Sequence, residues 1–488
     1  MSETEHYDVV LVGAGISAVG LAHHLKEQCP GKSIVMLESK STFGGTWRTH
    51  TYPGIRSDSD LYTFGYRFKP WTGAPIAQAH QILTYMEDVI EDDQLGQHIR
   101  YNTKITKAAW SSTDQRWTLT IAHSETGEES ELTCSFFIWS GGYYDHDNPY
   151  TPDWPTLSQF SGEVIHPQKW PDKASLEGRR VVVIGSGATA ATLIPNICED
   201  AAHVTMLQRS PTYFWTGENR NELADRLRKL DLPEEWVHEI VRRDQLEIQR
   251  EVQHGAAEFP DHVKQELLAV VRQYLGDELT EKHFTPSYRP WQQRLAYVPD
   301  GDLFEAVKSG KASIVTDHID SFTKGGIRLK SGEHLEADVI ITATGFNLSP
   351  VGGIDLEVDG NSVAPSDTFT YRGILLSGLP NFAMTFGYLR TSWTMRVDLI
   401  GDYLCRLLNH MDQNGARVVT PTLRSEDEGM TEGPWIAAEE FNAGYMTREL
   451  HRMPKTGGHE PWMFLNDYYI EKDQFPAFEL DDGVLRYA

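Results

Sequence analysis

One local signature occurs twice in this chain, and that duplication limits the possible folds more than any other feature. Asp8 to Val12 is a run rich in β-branched residues, the kind that forms a buried parallel strand. Gly13-Ala14-Gly15-Ile16-Ser17-Ala18 follows, and Ile16, Val19, Ala22 and Leu25 then recur at helical spacing. Arg180 to Ile184 opens the second copy, which continues as Gly185-Ser186-Gly187-Ala188-Thr189-Ala190. In each G-x-G-x-x-A the first glycine, Gly13 or Gly185, permits the tight turn. The second, Gly15 or Gly187, lets backbone approach a pyrophosphate, and the small Ala18 or Ala190 lets helix and strand pack closely. The helix start then offers amide groups and a partial positive charge to phosphates. The expected fold is α/β, with two Rossmann-type dinucleotide-binding domains.

The two copies predict different ligands. The first unit's second strand, Ser33 to Leu37, ends in Glu38, an acid placed to bind ribose hydroxyls. The corresponding stretch of the second unit reads Thr205-Met206-Leu207-Gln208-Arg209. A neutral Gln208 replaces the acid, and a cation follows it. An acid repels a 2′-phosphate, whereas arginine grips one with charge-assisted hydrogen bonds. The first site is therefore expected to hold FAD through Gly13, Gly15, Ala18 and Glu38. The second is expected to hold NADPH through Gly185, Gly187, Ala190, Arg209 and the adjoining Ser210.

Bulk properties narrow the function by exclusion. A net charge of −26 opposes a nucleic-acid surface, which needs clustered Lys and Arg. Cys29, Cys134, Cys198 and Cys405 lie far apart without a C-x-x-C, so neither a metal site nor a redox pair is expected. No apolar run suits a membrane helix and no signal peptide is evident, which predicts a cytoplasmic protein. Residues 219–281 are charge-dense at helical spacing (Leu223, Leu227, Leu230, then Trp236, Ile240, Val241) and read as a helical insertion. Val339-Ile340-Ile341 running into Ala343-Thr344-Gly345 is expected to return the chain to the first domain, placing Thr344 and Gly345 at FAD. The expected domains are 1–148 (FAD, first part), 149–335 (NADP, with the insertion) and 336–488 (FAD, second part, and C-terminal region). Phe386 to Trp393 is aromatic and loop-like, and could wall a substrate pocket or belong to the core.

Three further stretches carry a family resemblance. Between the glycine motifs lies Phe160-Ser161-Gly162-Glu163-Val164-Ile165-His166-Pro167-Gln168-Lys169-Trp170-Pro171. Gly44-Gly45-Thr46-Trp47 leads on to Tyr52-Pro53-Gly54 and closes at Asp58. Written as F-x-G-x-x-x-H-x-x-x-W-P and G-G-x-W-x4-[FY]-P-G-x3-D, the two resemble fingerprints of the Baeyer–Villiger monooxygenases. These flavoproteins use NADPH and dioxygen to insert oxygen beside a ketone carbonyl. The resemblance implies that Gly45 and Trp47 contact FAD, that Phe160, Gly162, His166 and Trp170 are the family motif, and that Asp58 lies near the flavin and orients an arginine. The loop Thr285-Pro286-Ser287-Tyr288-Arg289-Pro290-Trp291-Gln292-Gln293-Arg294 offers two candidates for that arginine. Arg294 is preferred over Arg289 because its distance to Phe304 matches the family spacing. Gln293 stands where the family commonly has a lysine that helps hold the 2′-phosphate. The Pro-x-x-Gln-Arg-Leu pattern resembles the ethionamide-activating type of this family.

The resemblance implies a mechanism with Asp58 and Arg294 as catalytic residues. NADPH reduces FAD, the reduced flavin captures O2 as a C4a-peroxide, and Arg294 keeps that peroxide anionic so that it attacks a ketone. Thioether sulfoxidation is the expected side reaction. The alternatives are an N- or S-oxygenating flavin monooxygenase, which needs no Asp–Arg pair, a disulfide reductase, which lacks its cysteines here, and a non-enzymatic NADP sensor, which needs no FAD site.

Overall fold

The computed structural model describes residues 4–488 and contains two large sheets. In the first, His6–Val12 pairs in parallel with Ile34–Leu37 on one side (Val9 opposite Ile34) and with Glu129–Trp139 on the other (Val9 opposite Phe136). Ile99–Arg100 extends it at one edge, while an antiparallel run through Arg116–His123 and Thr103–Ser111 extends it beyond Glu129–Trp139. Val9, Val10 and Leu11 are fully buried, as expected of a parallel strand covered on both faces. Phe382–Met384 adds in parallel to Glu129–Trp139, so a late segment does join the first sheet. The long helix Trp393–Asn414 follows that segment and packs Val397, Ile400 and Leu404 into the same core as the first helix, Ile16–Gln28.

The second sheet has the order Ala312–Thr316, His203–Gln208, Arg180–Ile184, Val339–Thr342, Glu163–Ile165, all parallel. This corrects one expectation. Val339–Thr342 does not carry the chain back to the first sheet; it lies between Arg180–Ile184 and Glu163–Ile165, so the return falls after Thr342 rather than at residue 336. A fully buried Val-Ile-Ile-Thr run fits the middle of either sheet, and its pattern carries no information about which neighbours it takes.

The inserted helices run Glu222–Arg228, Glu234–Glu258 and Pro260–His283, the last interrupted at Gly276. Of the expected apolar positions Val241 is fully buried and Leu223 and Leu227 pack against the first core, whereas Leu230 and Trp236 are exposed; Ala224, Val237, His238 and Arg242 complete the buried face. Arg242 is the anchor. Its Nη1 donates to the carbonyl oxygens of Tyr62, Thr63 and Gly65 at 2.9, 3.1 and 2.9 Å, and Trp71 donates its backbone N–H to His238 Nδ1 at 3.0 Å. The insertion thereby holds the segment that follows Asp58. No helix of the described residues is long and apolar enough to cross a membrane.

Arg242→Ala removes a buried cation that serves three carbonyls and lies 3.9 Å from Asp398. The expected loss of stability is about 3–5 kcal/mol, the usual result of breaking a buried charged network on one side. Thermal denaturation checks it, and an unchanged midpoint would contradict the anchoring role.

Candidate active site

Both glycine turns open on one cavity of about 670 Å³, within the usual range for ligand sites. Two local rules bring them there. In parallel α/β sheets ligands gather at the carboxyl ends of the strands, and both turns leave those ends. The helices that follow, Ile16–Gln28 and Ala188–Ile197, begin at Gly15 and Gly187 with no side-chain cap and no acid in the first turn. Their first N–H groups and positive dipole ends are therefore left for an anion.

Close packing explains the small residues. Gly185 has φ +133°, and a methyl there would collide with the Ala343 carbonyl oxygen, so the second turn needs glycine on both counts. In the first turn a methyl on Gly45 would come within 3.1 Å of Gly15 Cα, so the two glycine motifs of the first unit lie against each other. Ala18 and Ala190 are fully buried under the turns rather than at the cavity wall. Glu38 is buried, accepts from the backbone N–H of Ala14 and of Lys40 (both 2.8 Å), and lines the cavity. A diphosphate-bearing dinucleotide fits this donor set at each turn. Gln208, in contrast, is turned inward. Its amide donates to His283 O at 2.6 Å and Thr316 Oγ1 at 2.8 Å, while Arg209 and Ser210 are exposed at the cavity.

Asp58 and Arg294 meet on the cavity wall. Arg294 Nε donates to one carboxylate oxygen at 2.6 Å and Nη2 to the other at 2.5 Å. Burial pushes the Asp58 carboxyl up, but the charge and hydrogen bonds of Arg294 outweigh it and hold the group below the usual carboxylate range. Burial likewise opposes the charge on Arg294, and Asp58 more than compensates, so the guanidinium titrates above its ordinary value. Arg56 also pairs with both oxygens of Asp302, but end-on through Nη1 at 2.5 Å and Nη2 at 3.2 Å, clamping the two units beside the first pair. Arg289, the other candidate in the loop, instead donates to the Glu439 carbonyl at 2.7 Å, and Gln292 O accepts from Asn442 N at 2.8 Å. The C-terminal segment thus holds the loop that carries Arg294.

Several expectations fall elsewhere. Thr344 and Gly345 line the cavity, but at the end of a strand of the second sheet, not the first. Phe160, Gly162, His166 and Trp170 do not line the cavity. Phe160 is in the core of the second unit, and Gly162 leaves no room for a side chain against the Asp338 carbonyl. His166 accepts from Gln168 N at Nδ1 and donates from Nε2 to Tyr150 O, each at 3.1 Å, which makes it a neutral structural tie. Of the aromatic loop, Tyr388 and Trp393 reach the cavity, while Phe386 is fully buried core.

The sequence reading missed two groups at the wall. Tyr143 and Tyr144 stack tilted with centroids 4.2 Å apart, Tyr445 meets Tyr144 edge-on at 5.9 Å, and burial pushes all three phenols up while the charge of Arg294 partly offsets it. The Tyr445 hydroxyl is buried and has no partner among the described residues. The adjacency of Tyr143 and Tyr144 to Gly141-Gly142 was a usable signal; Tyr445 had none. His50 is the second miss: 4% exposed, its Nε2 unpartnered among the described residues. Burial, with the neighbouring His146 and His166, lowers its pKa to about 3.

Comparison with known proteins follows the same lines. Residues 11–73 match the family described as NAD(P)-binding Rossmann-like domain, and residues 74–221 match that described as flavin-binding monooxygenase-like. The chain is 42% identical to the FAD-containing monooxygenase EthA of Mycolicibacterium smegmatis, covering 99% of this chain and 98% of that protein. It is 43% identical, over 99% and 98%, to the putative FAD-containing monooxygenase MymA of Mycobacterium tuberculosis. Among solved structures, an oxidized steroid monooxygenase bound to NADP superposes with a TM-score of 0.76 over 99% of both chains at 22% identity, a likeness of fold.

His50 supplies a pH test. In the unfolded chain a histidine takes a proton near pH 6.5, whereas folded His50 stays neutral to about pH 3. Between those values the unfolded state binds the extra proton, so stability is lost as pH falls. His50→Phe is expected to flatten the decline of Tm from about pH 6.5 to 4; superimposable profiles would contradict it.

Proposed function

This chain belongs to the class B flavin monooxygenases, and we propose that it uses NADPH and dioxygen to convert ketones to esters or lactones. Thioether sulfoxidation is the accompanying side activity. The single observation that carries the reading is the forked Asp58–Arg294 pair on the wall of a cavity shared by two dinucleotide turns. The names of the relatives at 42% and 43% identity support FAD as the resident cofactor, and the NADP-bound steroid monooxygenase supports the nicotinamide nucleotide.

On this reading residues 1–148 and the chain beyond Thr342 form the FAD unit, and the segment between them with its helical insertion forms the NADP unit. FAD, when bound, supplies hydride acceptance and oxygen activation. Gly13 and Gly15 would admit its diphosphate to the helix start, Glu38 would hold its ribose, and Gly45 and Trp47 would contact it at the cavity wall. Gly185 and Gly187 would do the same for NADPH, with Arg209 and Ser210 toward the 2′-phosphate. Arg294 holds a permanent positive charge where oxygen must remain anionic to attack a carbonyl carbon. Fixed charges of this kind need no reorganisation when the reaction occurs, and they count for more once bound cofactors displace water from the cavity. Asp58 sets the plane of the guanidinium and keeps it from swinging toward solvent. The phenols of Tyr143, Tyr144 and Tyr445, raised by burial and therefore neutral, crowd water away from that charge.

Product analysis under labelled dioxygen tests the proposal, using a panel of methyl ketones, thioethers and tertiary amines. The expected outcome is one labelled oxygen in an ester, with NADPH consumed in step and the ester-to-sulfoxide ratio rising with pH. Sulfoxide and N-oxide without ester from any ketone, at any pH, would move the chain to the N- and S-oxygenating class.

A further inference from the structure

Six cationic side chains line the cavity: Lys40, Arg56, Lys104, Arg209, Arg294 and Arg448. Four have carboxylate partners, since Lys40 and Lys104 reach Asp147, Arg56 reaches Asp302 and Arg294 reaches Asp58. Among the described residues Arg209 and Arg448 have none. In a chain of net charge −26 acids are plentiful, so two unpaired guanidinium groups facing one cavity point to an anion that is not part of the protein. The acid next in sequence, Glu449, is engaged by Arg452 at 3.2 Å.

Arg448 is held in place by contacts that leave its charge unanswered. Its guanidinium carbon lies 3.5 Å from the centroid of the Tyr150 ring, Nη2 donates to the Phe346 carbonyl at 3.2 Å, and Nε is buried with no partner among the described residues. Tyr150 is itself fixed, because its carbonyl oxygen accepts from both His166 Nε2 at 3.1 Å and Thr344 Oγ1 at 2.7 Å. The histidine of the motif between the glycine turns therefore supports the platform on which Arg448 rests. Burial disfavours the charged guanidinium there, Tyr150 and Glu449 partly offset it, and the like charge of Arg209 adds a smaller effect in the same direction as burial.

Position decides which part of an anion Arg448 meets. Three neighbouring strands of the second sheet end at the cavity: His203–Gln208 leads to Arg209, Arg180–Ile184 to the glycine turn, and Val339–Thr342 to Gly345. Arg448 Nη2 lies 3.8 Å from the point a Gly345 Cβ would occupy. The two free cations thus flank the uncapped start of the helix Ala188–Ile197 from opposite sides, two strand spacings or roughly 10 Å apart at the sheet.

We propose that Arg448 is a second phosphate-binding residue of the nicotinamide-nucleotide site, closing over the pyrophosphate from the C-terminal segment while Arg209 takes the 2′-phosphate. It supplies a cation on the far side of the turn from Arg209, in a chain whose loop carries neutral Gln293 before Arg294. The inference rests on the reading of this turn as the NADPH site. It also makes the C-terminal segment, which holds the Arg294 loop through Asn442 and Glu439, a part of nucleotide recognition.

Calorimetric titration of NADP+ and NAD+ into the oxidised, FAD-loaded protein separates these roles without turnover. Arg448→Met, which preserves an apolar chain over Tyr150, should weaken both nucleotides alike, by about tenfold to a hundredfold, the range for a hydrogen bond to a charged group. Arg209→Ala should weaken NADP+ by a similar factor and leave NAD+ unchanged. Arg448→Lys should recover most of the affinity for both. Should Arg448→Met lose FAD or its thermal midpoint, Arg448→Gln and the Lys variant provide the same charge comparison. Wild-type affinity for both nucleotides in the charge-removing Arg448 variant would overturn the inference, as would a loss confined to NADP+. Wild-type protein that binds neither nucleotide would overturn the NADPH reading itself, and this one with it.

Discussion

The forked ion pair between Asp58 and Arg294 is the interaction on which the site depends. Its partners come from different units, 236 residues apart in sequence, and meet at the one wall both units share. The pair is only part-buried, Arg294 being 37% and Asp58 19% exposed, and ion pairs of this kind add little net stability. Stability alone therefore does not account for this one. What it fixes is direction, because two parallel N–H···O bonds allow the guanidinium a single plane. The surroundings reinforce it: Arg56–Asp302 clamps the adjacent backbone, and the C-terminal segment grips the arginine loop on its other side.

The rest of the molecule serves to bring two glycine turns to that wall. Each sheet ends its strands at the cavity, each turn opens on a glycine of positive φ (Gly13 at +89°, Gly185 at +133°), and each following helix starts without a cap. The helical insertion contributes through Arg242, which ties down the chain just beyond Asp58. The net charge of −26 lies mainly in solvated faces, whereas the cavity keeps cations that acids have not neutralised. That contrast suits a site for polyanionic cofactors in an otherwise acidic protein.

Residues whose backbone chemistry is local were the legible ones. The glycine turns and the exchange of Glu38 for Gln208-Arg209 could be read from local spacing, whereas Asp58 was singled out by the family resemblance alone. Choosing Arg294 over Arg289 needed the family spacing, and the structure gives the two arginines different partners: a carboxylate for one and the Glu439 carbonyl for the other. The neighbours of Val339–Thr342 could not be read, since a uniformly apolar strand fits the middle of either sheet. The Phe160–Trp170 stretch stood out through its place between the glycine turns and its family resemblance, yet it lies outside the cavity and reaches it only where His166 holds Tyr150 beneath Arg448. Tyr445 and Arg448 arrive from the C-terminal segment with no motif around them, and only tertiary packing reveals them.

In the proposed function Arg294 acts on oxygen transfer and not on cofactor binding or reduction. Rapid mixing of the FAD-loaded Arg294→Ala variant, first with NADPH without oxygen and then with oxygen and a ketone, separates the two halves. Flavin bleaching is expected at close to the wild-type rate and ester formation reduced by about a hundredfold to a thousandfold, the usual result of losing one preorganised stabilising group. Asp58→Ala should fall between the variant and wild type. Normal ester formation by Arg294→Ala, or loss of both halves in equal measure, would contradict it.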